Sequence, residues 1–134
     1  MSCKRLSTLL ALVLVAAATV MAQKKYYAPE DVPNVQLQNK NRYLSDPARF
    51  IDAASAAHID STLQNVRTAT SVQAAVVVLP YMAGNADVDT YATELFTLWG
   101  LGDKKKDNGL LVLVSVGDRK YTIRTGYGIE GALP

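Results

Sequence analysis

Two short apolar runs, separated by one amphipathic helix, constrain the fold of this chain more than any other feature. Gln73–Leu79 is a β-branched run that Pro80 ends, and residues 110–116 form a second apolar run. Both runs are too short and too continuously apolar for amphipathic helices, so we interpret them as buried strands. A strand, a helix and another strand in that order favour a right-handed parallel crossover.

Apolar residues at helical spacing predict two helices. Asp52 precedes a periodic stretch over residues 53–69 and can accept hydrogen bonds from the amides of its first turn. In the second stretch, apolar side chains recur at helical spacing from Val88 to Trp99. Asp87 is placed as its cap and Gly100 as its C-terminal stop.

The end of the chain predicts a hairpin. Gly117 and Asp118 form a tight turn after the second apolar run, and residues 120–124 then alternate polar and apolar side chains. The fold class is therefore α/β, with a small mixed sheet of two parallel strands and a hairpin partner. Residues 23–45 are polar, have no sustained period and are predicted to be an extended lead-in to a domain over residues 46–134.

Residues 1–22 have the pattern of a secretory signal peptide. Lys4 and Arg5 precede an apolar run over residues 9–18, which is shorter than the roughly 20 residues that a membrane-spanning helix needs. An uncleaved N-terminal anchor is the alternative. Cleavage would remove Cys3, the one cysteine of the chain, and would change the formal charge from +2 to 0. The processed domain would then lack disulfides and thiolate sites, and no basic stripe would indicate nucleic acid as a partner.

Four short motifs along the chain resemble successive signatures of the TPM family, which includes the thylakoid-lumen acid phosphatase. They match in order and spacing over about residues 43–134, and they are residues 43–48 (YLSDPA), 99–102 (WGLG), 107–111 (DNGLL) and 124–131 (RTGYGIEG). The resemblance implies a three-layer α/β/α sandwich, exported to the periplasm or the envelope and often tethered to a membrane by a later hydrophobic segment.

Two departures from the family pattern matter. Family members usually have Thr-Gly where this chain has Thr70 and Ser71. They also continue past the Glu-Gly element with an acidic residue and a further helical segment, whereas this sequence stops at Pro134. The resemblance therefore implies an incomplete last helical layer, an apolar patch on one sheet face and a possible anchor in a longer protein.

The predicted hairpin brings polar residues together at one edge of the sheet. Asp107 and Asn108 precede one strand, and Tyr127 and Glu130 follow its antiparallel neighbour. Their oxygens suit a divalent cation such as Ca²⁺ or Mg²⁺, with Asp107, Asn108 and Glu130 as ligands, and Arg124 nearby could bind a phosphate. The alternative is an ordinary turn at Asp107 and Asn108 with a solvent-facing Glu130.

Three other aspartates are predicted at the opposite end of the sheet, namely Asp46, Asp87 and Asp118. Helix capping and turn formation explain them adequately, although Asp46 and Asp118, like Tyr127, are secondary site candidates. His58 is the one histidine in the chain, so neither a histidine phosphatase nor a zinc cluster can be built.

Two functions remain open. One is a noncatalytic envelope module that binds a divalent cation and supports the assembly or repair of membrane protein complexes, with such a complex or a membrane surface as partner. The other is a metal-dependent acid phosphatase, in which Asp107 and Glu130 hold the metal and Arg124 holds the phosphate monoester. Lone acidic residues on separate loops favour a single cation over a two-metal centre.

Overall fold

The computed structural model describes residues 24–130. The predicted signal peptide and the last four residues, 131–134, lie outside the described residues. No helix within residues 24–130 combines the length and the apolar character that crossing a membrane requires.

The two long helices and the three long strands follow the predicted order. The strands are β1 (Tyr26–Tyr27), β2 (Leu44–Ser45), β3 (Gln73–Leu79), β4 (Tyr81–Met82), β5 (Gly109–Ser115) and β6 (Lys120–Thr125). The helices are α1 (Ala53–Thr70), α2 (Val88–Trp99) and the single turn α3 (Tyr127–Glu130). Short 3₁₀ turns occur at Pro29–Asp31, Val35–Leu37 and Ala83–Asn85.

The main sheet has four strands in the order β2-β3-β5-β6. β3 and β5 are parallel along their whole length, and β6 is antiparallel to β5, so the predicted parallel pairing and the predicted hairpin are both confirmed. β2 adds a parallel strand beside β3 that the sequence did not predict. Two residues are too few to produce a recognisable hydrophobic period, which is why the pattern missed it.

Both long helices begin directly after the residues that the sequence predicted as their N-caps. The Asp52 carboxylate accepts a hydrogen bond from Ser55 N at 3.2 Å, and the Asp87 carboxylate accepts one from Thr90 N at 3.1 Å. Asp60 has a role that the sequence did not reveal. Its Oδ1 accepts hydrogen bonds from Tyr43 N at 2.7 Å and from the adjacent amide of β2, so α1 holds β2 in place.

The two long helices cover opposite faces of the sheet, which gives the expected three layers. Leu95 of α2 is fully buried against Leu111 and Leu113 of β5. On the other face, Ile59 and Leu63 of α1 lie beside Val76 of β3. This second face is less completely covered, because large apolar side chains of β6 remain exposed there.

The segment predicted as an extended lead-in is part of the packed domain. Tyr27 and Val32 are buried in the same core as α2, and β1 pairs in parallel with β4. The hydroxyl of Tyr91 donates a hydrogen bond to the Tyr27 carbonyl oxygen at 2.6 Å. Burial of Tyr91, together with the nearby charge of Asp31, raises the pKa of its hydroxyl. The hydroxyl therefore stays protonated and anchors the segment.

Ser71 ends α1 in the left-handed conformation, with φ of 65° and ψ of 4°. This is the position at which the family resemblance implies a glycine, and the conformation explains why. A side chain in this region costs roughly 1–2 kcal/mol, which glycine avoids.

Replacing Ser71→Gly should therefore raise the free energy of unfolding, by about 1 kcal/mol at most because glycine also loses more backbone entropy on folding. Urea denaturation followed by circular dichroism measures the change. The matched control is Ser61→Gly, at an exposed position inside α1, which should instead lower stability by about 0.5–1 kcal/mol. Destabilisation by both substitutions would contradict the assigned strain at Ser71.

Candidate functional site

Asp107 connects the loop before β5 to the end of β6. Its carboxylate Oδ2 accepts a hydrogen bond from Tyr127 N at 3.0 Å, and its backbone carbonyl accepts one from Gly128 N at 2.9 Å. The hairpin register brings this contact about, because Gly126 N donates to Gly109 O at 2.9 Å directly beside it. Asp107 and Tyr127 thus meet as the sequence predicted.

Two glycines allow this close approach. A Cβ atom on Gly126 would lie 2.7 Å from Asp107 Oδ1 and closer still to the Asp107 carbonyl oxygen. A Cβ atom on Gly128 would overlap the carbonyl oxygen of Lys106. The carbonyl oxygen of Lys106 and both the carbonyl and the carboxylate oxygens of Asp107 therefore lie directly against the turn that follows β6.

The amide of Asn108 is engaged by backbone groups at both ends. Its Oδ1 accepts a hydrogen bond from Asp103 N at 2.7 Å, and its Nδ2 donates one to Ser71 O at 2.6 Å. Only 6 % of the residue is exposed. Asn108, predicted as a cation ligand, therefore links the loop before β5 to the C-terminal end of α1.

The loop before β5 is folded around a second aspartate, Asp103. Its Oδ1 accepts hydrogen bonds from Lys105 N at 2.7 Å and from Lys106 N at 3.3 Å. These backbone hydrogen bonds lower the pKa of the Asp103 carboxyl. The three lysines of the loop, residues 104–106, are all exposed, so the loop presents positive charge to solvent.

The other predicted residues at this end have different environments. Arg124 is exposed on β6, directly opposite Leu111 of β5. The Tyr127 side chain is 82 % exposed, and it is the backbone amide of Tyr127 that reaches Asp107. The backbone of Glu130 ends α3, while its side chain lies outside the described part of the chain.

At the opposite end of the sheet, Asp118 stabilises the hairpin turn. Its Oδ2 accepts hydrogen bonds from Met82 N at 2.9 Å and from Ser115 Oγ at 2.7 Å. These bonds lower the pKa of the Asp118 carboxyl, with the Met82 amide as the largest cause. Asp118 also lines a cavity of about 230 Å³ that includes Tyr26 and Lys120.

Asp46 lines a different cavity, of about 430 Å³, together with Arg42 and Arg49. Its two carboxylate oxygens accept hydrogen bonds from Phe50 N at 3.0 Å and from Ile51 N at 2.8 Å. Asp46 is thus engaged with its own local backbone, as turn formation predicted, whereas Asp118 accepts from an amide that is distant in the sequence. Among the described side chains, no group of three histidine, cysteine, aspartate or glutamate residues is arranged to hold a metal ion.

Comparison with known proteins identifies the family. A TPM domain model matches residues 44–134. The chain belongs to the TPM-domain family. This confirms the resemblance that the four motifs carried, and the matched region contains Asp107, Asn108 and the glycines against which they pack.

A solved structure supports the fold assignment. The solution NMR structure of the N-terminal domain of a protein from P. gingivalis superposes with a TM-score of 0.75 at 38% sequence identity. The match covers 83% of this chain and 70% of that one. A search of curated proteins finds no match.

Asp118→Ala should lower the free energy of unfolding by about 1–3 kcal/mol near pH 7, because Met82 N and Ser115 Oγ would lose their acceptor while buried.

The lowered pKa of Asp118 means that the folded protein stabilises the ionised form of this carboxyl more than the unfolded chain does. Its contribution is therefore present above the ordinary pKa of 3.8 and is lost as pH falls through the lowered value.

Urea denaturation at a series of pH values measures this difference. The stability gap between the natural protein and Asp118→Ala should narrow as pH falls below about 4. Ser115→Ala is the companion variant, because it removes one hydrogen bond and leaves the Met82 bond in place; its cost should be smaller. A gap that stayed constant with pH would show that ionised Asp118 does not stabilise the turn.

Proposed function

We propose that this chain is a noncatalytic TPM-type module that binds one divalent cation, Ca²⁺ or Mg²⁺, beside Asp107 and supports the assembly or repair of membrane protein complexes. The observation that carries the proposal is the packing of the Asp107 carboxylate and the Lys106 carbonyl against the turn at Gly126 and Gly128. Carboxylate and carbonyl oxygens are the ligands that these hard cations take in proteins.

The hydrogen bonds of Asp107 support this choice of ligand. Oδ2 is occupied by Tyr127 N, whereas Oδ1 accepts no hydrogen bond from any described residue. One carboxylate oxygen is thus available to an ion while the other fixes the carboxylate in place. Glu130 lies three residues after Tyr127 and would supply the second carboxylate.

Asn108 would act on such a site through the loop rather than through the ion. Its buried amide ties Asp103 to the end of α1, which fixes the start of β5 and with it the position of Asp107. Residues that bind a metal depend on such supporting contacts for their orientation. Loss of a supporting contact typically weakens metal binding by about 10–100-fold.

The arrangement of charges supports a binding module over a hydrolase. Asp46, Asp107 and Asp118 each accept backbone hydrogen bonds at a separate place in the fold, which suits one ion better than a pair of ions sharing ligands. Next to the proposed cation, Lys104, Lys105 and Lys106 are exposed on one loop. Clustered lysines attract anionic surfaces over roughly 8 Å at physiological ionic strength, which fits a partner at a membrane.

The test is a titration of Ca²⁺, and separately of Mg²⁺, into the purified protein, followed by NMR amide shifts. We expect saturable shifts confined to residues 106–108 and 126–130. Asp107→Asn should weaken the affinity by at least about tenfold, because it removes the charge while keeping an acceptor for Tyr127 N. The matched control is Asp31→Asn, an exposed aspartate on the Pro29–Asp31 turn, which should leave the affinity unchanged.

Turnover of para-nitrophenyl phosphate, measured on the same samples, separates the two candidate functions. If turnover depends on the metal and Asp107→Asn abolishes it, the protein is instead an acid phosphatase that uses Arg124 to bind the phosphate. Saturable shifts without turnover support the module. The absence of shifts at both groups of residues would eliminate the cation site.

A further inference from the structure

β6 is the last strand of the main sheet, and its outer edge pairs with no other strand among residues 24–130. The hairpin geometry determines which backbone groups that edge presents. Gly126 N donates to Gly109 O, so this pair is hydrogen-bonded, and alternate pairs along the hairpin must be hydrogen-bonded too. The N–H and C=O groups of Tyr121, Ile123 and Thr125 therefore point away from β5.

The same residues carry the exposed apolar side chains of β6. Tyr121 is 75 % exposed and Ile123 is 59 % exposed. They lie directly opposite Val114 and Val112 of β5, on the sheet face that α1 covers incompletely. Hydrogen-bonding groups and apolar surface are thus presented together along one edge, which is the combination that an added strand uses.

We propose that the added strand is β6 of a second copy of this chain, antiparallel to the first about a twofold axis at Ile123. In this register Ile123 pairs with Ile123 of the second copy, and Tyr121 pairs with its Thr125. Three pairs then exchange two backbone hydrogen bonds each, and the two sheets join into one of eight strands.

The charged residues of β6 select this register over its neighbours. Lys120 and Arg124 lie on the same face of the strand, because they are four residues apart. An axis at Thr122 would place Lys120 opposite Arg124 of the second copy, and an axis at Arg124 would place the two Arg124 residues opposite each other. Like charges directly opposite are destabilising, so both alternatives are disfavoured.

The axis at Ile123 instead places Arg124 opposite Thr122 of the second copy. The Thr122 hydroxyl donates a hydrogen bond to Asp89 Oδ1 at 2.5 Å, so a carboxylate lies beside that position. Each Arg124 would therefore meet the Asp89 carboxylate of the other copy, and the symmetry supplies two such pairs. This complementarity of charge is what identifies the occupant of the edge as a second copy.

Sedimentation equilibrium and amide hydrogen exchange, both measured over a range of protein concentrations, test the proposal. We expect a monomer–dimer equilibrium. The amides of Tyr121, Ile123 and Thr125 should become protected as concentration rises. The amides of Thr122 and Arg124, which bond to β5, should be protected at every concentration and serve as an internal reference.

Charge-swap variants test the register. Arg124→Glu should weaken dimerisation at least about tenfold, because two attractive pairs become repulsive. Combining it with Asp89→Arg should restore dimerisation towards the original value. Lys120→Glu is the matched control: its charge change is the same, but it faces Gly126 of the second copy and should have little effect. Circular dichroism confirms that each variant is folded.

Two outcomes would overturn the proposal. One is a protein that stays monomeric at all concentrations up to about 1 mM, which corresponds to a dissociation constant weaker than about 1 mM. The other is a dimer in which the amides of Tyr121, Ile123 and Thr125 stay unprotected, because such a dimer would use another surface.

Discussion

The structure depends on the parallel pairing of β3 with β5 over seven residues, from Gln73 opposite Gly109 to Leu79 opposite Ser115. Because the two strands run the same way, the chain must cross the sheet between them, and α2 makes that crossing while burying its apolar side. The antiparallel β6 then returns the chain to the beginning of β5. Because β6 returns the chain to the beginning of β5, Asp107 meets Tyr127 there. Asp118 lies at the other end of the sheet, in the turn that joins β5 to β6.

The sheet also separates two kinds of acidic residue. Asp118 and Asp46 both accept backbone hydrogen bonds and adjoin cavities, but each is used to hold a turn or loop in place. Asp107 differs, because its carboxylate and the neighbouring Lys106 carbonyl oxygen both lie against the glycine turn that follows β6. Position in the fold, more than residue type, therefore separates the candidate ligand from the structural aspartates.

The long elements were predictable from the sequence because they carry regular periods and clear caps. Asp52, Asp87 and Gly100 define the helix ends, and the continuous apolar runs define β3 and β5. The short elements were not, because β2 has two residues and owes its place to two amides that bond to Asp60 on a distant helix. The segment 24–45 joins the core through single side chains such as Tyr27, which produce no pattern.

The candidate site was also predictable only in part. Hairpin register alone brings Asp107 beside Tyr127, since it follows from strand order. The use of the Asn108 amide could not be predicted, because its partners, Asp103 and Ser71, are set by tertiary packing of a loop against a helix end. Sequence spacing therefore gives proximity at this site, and the structure gives the hydrogen bonds that divide roles between neighbouring residues.

The engaged amide of Asn108 also bears on how the protein ages. Asn108 is followed by Gly109, and in flexible chains an asparagine before a glycine readily cyclises onto the next backbone nitrogen and becomes an acid. Here the amide is buried and bonded at both ends, so its carbonyl carbon is not free to turn towards that nitrogen. Folding thus protects this pair, and any molecule in which the conversion has occurred would place a carboxylate against the Ser71 carbonyl and separate the loop from α1.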